Sequence, residues 1–225
     1  YGDHRDLHSF PTHALPIFQA IIWDMGGVLL RTENRQPRNE LAQSVDISYK
    51  ELDQLVFASA SALQAEIGAI EDKEHWQNVA SVLSLSSTDL PQFIENFWSG
   101  DELDLQLLGW ISSLRNQHKI GLLSNAWKGT RATLLTKYPQ FLDPFHAAIF
   151  SAEVGIRKPA AQIFALILEK LNVETDKALF VDDFAANIDG AHAAGLQVVQ
   201  FLNREQVIKE ISTLLQGEQH AKMAG

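Results

Sequence analysis

The chain has 225 residues, 46% of them apolar, which is enough for one packed core and a smaller appended module. Lys and Arg number 18 against 28 Asp and Glu, and the resulting net charge of −10 repels phosphodiester backbones and anionic membrane surfaces, so neither nucleic acid nor membrane is expected as a partner. With no cysteine there is no disulfide, no thiolate nucleophile and no cysteine-based zinc site, and the cytoplasm is the expected compartment.

Net charge leaves one case open. An acidic protein still binds a small phosphate where a local lysine and a divalent cation reverse the field inside one pocket.

Residues 1–16, "YGDHRDLHSFPTHALP", lack the apolar centre of a secretory signal and read as a disordered leader or cloning remnant. His4, His8 and His13 fall there at irregular spacing beside Pro11 and Pro16, which suits a tail better than a metal site. No apolar run approaches the roughly 18 residues that a membrane span needs.

Four short apolar runs read as buried parallel strands: "AIIW" at 20–23, "IGLL" at 120–123, "AAIF" at 147–150 and "ALFV" at 178–181, with "LQVVQF" at 196–201 as a fifth. Helical patterns lie between them at 104–117, at 159–171 with Pro159 as a first helical residue, and at 185–194 ending on Gly195. This alternation predicts an α/β fold, a doubly wound, Rossmann-like parallel sheet. The segment between the first two strands is far longer than a crossover needs, and its patterns are helical near 37–45, 72–84 and 88–98. Ser48 and Glu51 make a capping box ahead of Leu52, Leu55, Val56, Ser59 and Leu63 on one face. The expected organisation is a core of 17–31 and 100–216, an all-helical cap over 32–99, and a polar tail at 217–225.

In an open α/β sheet, ligands sit beyond the carboxyl ends of the strands. Three of the runs end on polar residues there: Asp24, Ser124, and the pair Asp182 and Asp183; Lys158 stands just before a helix. Singly these are a turn residue, a helix cap, a capping pair and a solvated charge. Together, in chain order, they are a nucleophile, a hydroxyl, a lysine and an acidic pair. Two carboxylates approach an anionic phosphate only with a cation between them, and oxygen-only ligands favour magnesium.

The stretches "IIWDMGGVL", "IGLLSNA", "GIRKPAAQIF" and "ALFVDDFAANIDGAHAAG" resemble the haloacid dehalogenase superfamily of aspartate-nucleophile hydrolases, over about 18–202, in the manner of members with a helical cap after the first motif. The resemblance implies that Asp24 attacks phosphorus to give an aspartyl-phosphate, that Ser124 holds a phosphoryl oxygen, and that Lys158 neutralises nucleophile and phosphate. It implies Mg2+ held by Asp24, the Gly26 carbonyl, Asp183 and, directly or through water, Asp182, with Asn187 ordering their loop. Gly27 and Asn125 are expected beside the bound phosphate.

The departure is Gly26, where most phosphatases similar to this chain carry an aspartate that protonates the leaving group. Glycine keeps the carbonyl and loses the acid, a contribution of about 10²- to 10⁴-fold. The expected activity is therefore a magnesium-dependent phosphatase acting on a small phosphorylated metabolite with a good leaving group, such as an anomeric sugar phosphate, an acyl phosphate or an aryl phosphate. A 2-haloacid dehalogenase using the same aspartate is the rival, against which the acidic pair argues because that reaction needs no metal. A non-catalytic phosphate-binding regulatory protein is the third reading, and the completeness of the other motif positions argues against it.

Within the cap, Arg35, Arg38, His75 and Trp76 are candidates to reach the substrate, by pairing with a second anionic group or by stacking. Trp76 also follows core spacing with Val79, Ala80 and Leu83, and the cations have a bland reading as solvated charges. His118, His146 and His192 find no partners for a Ser-His-Asp triad, and there is no Walker loop, G-x-G-x-x-G or H-E-x-x-H. The chain is expected to act as a monomer or a homodimer.

Overall fold

The computed structural model describes residues 18–223, so the expectation for 1–16 and its histidines lies outside the described residues. The chain enters through β1 (Ala20–Trp23), all four residues of which are buried. A short β2 (Leu30–Thr32) leads into α1 (Gln36–Ser44), α2 (Tyr49–Phe57), α3 (Ala60–Glu66), α4 (Asp72–Leu83) and α5 (Leu90–Trp98), and β3 (Asp101–Leu103) returns antiparallel to β2. There follow α6 (Leu105–Leu114), β4 (Lys119–Ser124), α7 (Thr130–Lys137), β5 (Ala147–Phe150), the single turn α8 (Ser151–Val154), α9 (Ala161–Leu171), β6 (Ala178–Asp182), α10 (Ala185–Ala193), β7 (Gln197–Gln200) and α11 (Arg204–Met223).

β1 and β4 to β7 form one all-parallel sheet in the order β5-β4-β1-β6-β7. The five runs read from the sequence are its five strands, and apolar residues on both faces explain why they lack alternation. Successive side chains of β1 point to opposite faces. Ile21 and Trp23 join a cluster with Leu107 and Ile111 of α6 and Val207 and Ile211 of α11; Ala20 and Ile22 join another with Ile163, Phe164 and Ile167 of α9 and Ala191 of α10. β1 is thereby held at the centre of the sheet, and its carboxyl end at the centre of one edge.

α1 to α5 bury a third cluster of their own, including Leu52, Val56, Ala65, Trp76, Val79, Phe93 and Phe97, which also takes in Trp127 from the loop after β4. The Ser48–Glu51 capping box opens α2.

Four features differ from the sequence reading. β2 and β3 make an additional two-stranded ribbon flanking the expected helical cap; three-residue strands are too short to carry a period. α7 is an additional helix, between β4 and β5. Pro159 is not a first helical residue: α9 starts at Ala161, after an extended Ala160. The segment 217–225 is not simply a tail, since α11 runs on to Met223. Among the described residues no helix is long and apolar enough to cross a membrane.

Candidate active site

Three neighbouring strands, β4, β1 and β6, deliver their last residues to one edge of the sheet. Asp24 follows β1, and its backbone N–H donates to the Val181 carbonyl of β6 at 2.8 Å, carrying the ladder one residue past the strand. Lys158 is fully buried and its Nζ lies 2.6 Å from Asp24 Oδ1 and 2.7 Å from Asp182 Oδ2. A buried ammonium is tolerated only with such partners.

Asp182 is bonded at both oxygens: Oδ1 accepts from the Phe184 N–H at 2.8 Å and from Asn187 Nδ2 at 3.1 Å, and Oδ2 accepts from Lys158 and from Asn187 Nδ2 at 3.0 Å. It fixes the lysine and the loop. Asp183 is the exposed member of the pair.

Asp24, Asp182 and Asp183 offer carboxylate oxygens that all lie within 4.8 Å of one another, against the one ammonium that two of them share. Burial pushes the Asp24 carboxyl up to about 7, Lys158 opposing and the charges of Asp182 and Asp183 adding to it. Burial and then Asp182 push Asp183 up as well. Lys158 is held above its ordinary value: burial disfavours its charge, but Asp24 and Asp182 outweigh it. Excess negative charge and an oxygen-only donor set fit a hard divalent cation.

The turn after Asp24 is built on glycine for a reason that can be measured. The Met25 carbonyl accepts from Leu29 and Leu30 N–H at 2.8 Å, and Gly27 adopts φ +81°. A Cβ at Gly27 would lie 2.2 Å from Asp183 Oδ2, so the missing side chain is the space that Asp183 occupies. At Gly26 a Cβ would meet nothing within 4 Å.

A cleft of about 1190 Å³ opens from this edge toward the helical insertion, lined among others by Asp24, Gly26, Gly27, Asn125, Lys158 and Asp183. The remaining candidates divide. Ser124 is buried and its Oγ reaches no closer than 3.5 Å to the Asn125 carbonyl. Asn125 lines the cleft, but its amide spans the Lys158 peptide, Oδ1 accepting from the Lys158 N–H at 2.8 Å and Nδ2 donating to the Lys158 carbonyl at 3.0 Å. It places the lysine backbone. Arg35 is exposed at the cleft, its guanidinium 5.8 Å over the Tyr49 ring.

Two candidates are corrected. Arg38 does not extend into the cleft as a free cation: it is buried, with Nε donating to the Phe97 carbonyl at 2.9 Å and one terminal nitrogen 2.8 Å from both Asp101 oxygens, while its guanidinium lies 4.1 Å over the Phe97 ring. His75 has no exposed surface; Nδ1 is 2.9 Å from Ser61 Oγ and the ring centroid is 4.6 Å from that of Trp127. Trp76 is among the residues lining the cleft but is 5% exposed, so the core reading describes most of it.

Sequence reasoning missed the residues that join insertion and core. Arg157 Nε lies 2.6 Å from Glu66 Oε2 across the cleft. Asp72 Oδ2 accepts from the Gly129 N–H at 3.1 Å, Ser151 Oγ donates to the Glu66 carbonyl at 2.5 Å, and Lys128 pairs with Glu71. Only Arg157 carried a signal, as a second cation beside Lys158.

A family model for haloacid dehalogenase-like hydrolases matches residues 18–195. Drimenol cyclase drtB of Aspergillus calidoustus is 24% identical over 200 residues, 87% of this chain but 36% of its own length, so the chain spans about a third of that relative. Sesquiterpene phosphatase astK of Aspergillus oryzae is 24% identical over 179 residues, 80% of this chain and 87% of that one. A haloacid dehalogenase family enzyme of Bacteroides thetaiotaomicron, solved with magnesium and inorganic phosphate, shares the fold at a TM-score of 0.66 and 21% identity, covering 81% of this chain and 93% of that one. The family match spans well over half of the sequence: the chain belongs to the haloacid dehalogenase-like hydrolases.

Proposed function

We propose that this hydrolase is a magnesium-dependent phosphomonoesterase in which Asp24 is the nucleophile. One observation carries the reading: Lys158 Nζ bridges Asp24 and Asp182 at 2.6 and 2.7 Å, beside a third carboxylate, at the mouth of a cleft. The phosphatase relative and the neighbour holding magnesium and phosphate support it. Three carboxylates also argue against dehalogenation, which has no use for a cation.

Asp24 Oδ attacks phosphorus, the P–O bond to the organic group breaks, and the alcohol leaves after taking a proton from solvent. Lys158 holds Asp24 in position and offsets charge on the transferred group. Asp24, Asp183, the Gly26 carbonyl and Asp182 would hold Mg2+, which supplies positive charge for the phosphoryl oxygens. Water then attacks the aspartyl-phosphate at phosphorus, the P–O bond to Asp24 breaks, a proton passes to solvent, and inorganic phosphate leaves Asp24 free. With no acid at position 26, the first step favours organic groups that are stable as anions.

The test is phosphate release from p-nitrophenyl phosphate, an anomeric hexose phosphate and glycerol phosphate, with and without magnesium. Release that needs magnesium, falls at least about 10³-fold in Asp24→Asn and is slowest on glycerol phosphate is expected. Halide release from a 2-haloacid with no phosphate release would replace this reading by the dehalogenase.

A further inference from the structure

The cleft that begins at Asp24 is much larger than a phosphoryl group needs, and its roughly 1190 Å³ exceeds the usual range of small-molecule pockets, about 300–1,000 Å³. Away from the carboxylates its wall is mainly apolar. Phe57, Leu63 and Trp98 of the insertion and Trp127 of the core line it. The Trp98 and Trp127 rings meet at 6.0 Å between centroids, and Phe57 stacks against Trp127 at 6.4 Å, which makes one continuous surface.

Two exposed apolar side chains face the same space. Phe184 is 63% exposed although it directly follows Asp183, and Leu63 is 38% exposed. Among the described residues no ring or cation packs on Phe184. A large apolar group left in water forgoes its burial energy, and two of them at one cleft mark a surface that something apolar covers.

Several polar side chains of the same wall already have partners, while Arg35 is exposed there with only the Tyr49 ring beside it. Arg38 answers Asp101, Arg157 answers Glu66, and Asp72 accepts from Gly129. A substrate covered in hydroxyls would have to displace these pairs to gain hydrogen bonds.

We propose that the substrate is the phosphate monoester of a bulky apolar alcohol or phenol, its hydrocarbon body lying along Phe57, Leu63 and Trp98 beside Phe184, its phosphate at Asp24 and Lys158. This rests on the phosphatase reading and adds the organic group to it. Phe184 and Leu63 are then specificity residues. Each methylene moved from water onto this wall improves kcat/KM about two- to fourfold until the chain outgrows the cleft.

The experiment uses phenyl phosphates carrying para-alkyl chains of none, two, four and six carbons, below their micelle concentrations. The phenol is nearly the same leaving group throughout, so chain length is read apart from leaving-group chemistry. The expected result is a rise in kcat/KM of at least about 50-fold from phenyl to hexylphenyl phosphate, and a preference for hexylphenyl phosphate over an anomeric hexose phosphate. Phe184→Ser and Leu63→Ser are read as the hexylphenyl-to-phenyl ratio, in which any general loss of activity cancels; the ratio is expected to fall at least about fivefold in each. An active enzyme with a flat series, or variants with an unchanged ratio, would overturn the apolar substrate and leave the phosphatase standing. Absence of release from every ester would overturn the phosphatase instead. The same series then serves as equilibrium ligands, and length-independent binding would sink the apolar site as well.

Discussion

Gly26 and Gly27 are neighbours with opposite constraints. Gly27 is fixed by its φ of +81° and by Asp183 standing where a side chain would go. Gly27→Ala must displace that carboxylate, so magnesium affinity is expected to fall about 10- to 100-fold, as read by titrating the metal in an activity or calorimetric assay. Unchanged affinity would mean that Asp183 is not a ligand. Gly26 leaves its Cβ position open, so Gly26→Asp meets no neighbour there and offers the carboxylic acid that the turn lacks. Turnover of glycerol phosphate is expected to rise about 10²-fold or more while p-nitrophenyl phosphate, whose leaving group needs no proton, changes little. Equal changes on both would show that leaving-group protonation does not limit the rate. Asp24 and the acidic pair were legible because each ends an apolar run whose direction the sequence betrays, and Lys158 because it stands just before a helix. What Asn125, Arg38 and His75 do was not, because their roles depend on partners distant in sequence: the Lys158 peptide, Asp101 and Trp127.

The ribbon of β2 and β3 is the element that ties the insertion to the sheet, and Arg38 of α1 is bolted to it. Asp101 of β3 accepts two bonds from Arg38 at 2.8 Å and one from Thr32 Oγ1 of β2 at 2.7 Å. Burial pushes the Asp101 carboxyl up despite Arg38 and Thr32, so the pair is costly to bury and costlier to break. Arg38→Met leaves Asp101 facing an aromatic cluster without its cation and is expected to lower unfolding free energy by about 3 kcal/mol in urea titration. Asp101→Asn on that background is expected to recover part of the loss, since it removes the stranded charge. A near-neutral Arg38→Met would return Arg38 to the pool of substrate-facing cations. Strands and long helices were readable from runs and spacing; the ribbon was not, since three residues on each side carry no pattern without the pairing itself.

At the scale of the whole molecule, the insertion and the core meet through a buried aromatic contact whose charge state depends on pH. Trp127 of the core sits in the cluster of the insertion, with the His75 ring 4.6 Å away. Composition and spacing placed both clusters but not which face of one meets the other, because that docking is set by side chains from separate segments. Burial holds His75 below its ordinary value of 6.5, so the folded protein keeps it neutral where the unfolded chain would already protonate it. The unfolded state then binds more protons, and stability falls as pH drops below about 6.5. Burial depresses His146 too, with the same sign, whereas Asp24, raised to about 7, acts oppositely and loses its contribution as pH rises. The wild-type curve mixes these with the raised carboxyls of Asp183 and Asp101, so the informative quantity is the difference from His75→Gln. Melting temperature followed from pH 7.5 to 5.5 should drop more in the wild type than in His75→Gln, even though the variant starts lower for want of a well-packed imidazole. Parallel curves would mean that the docked insertion admits the His75 proton freely, and that the contact with Trp127 opens well below the unfolding temperature.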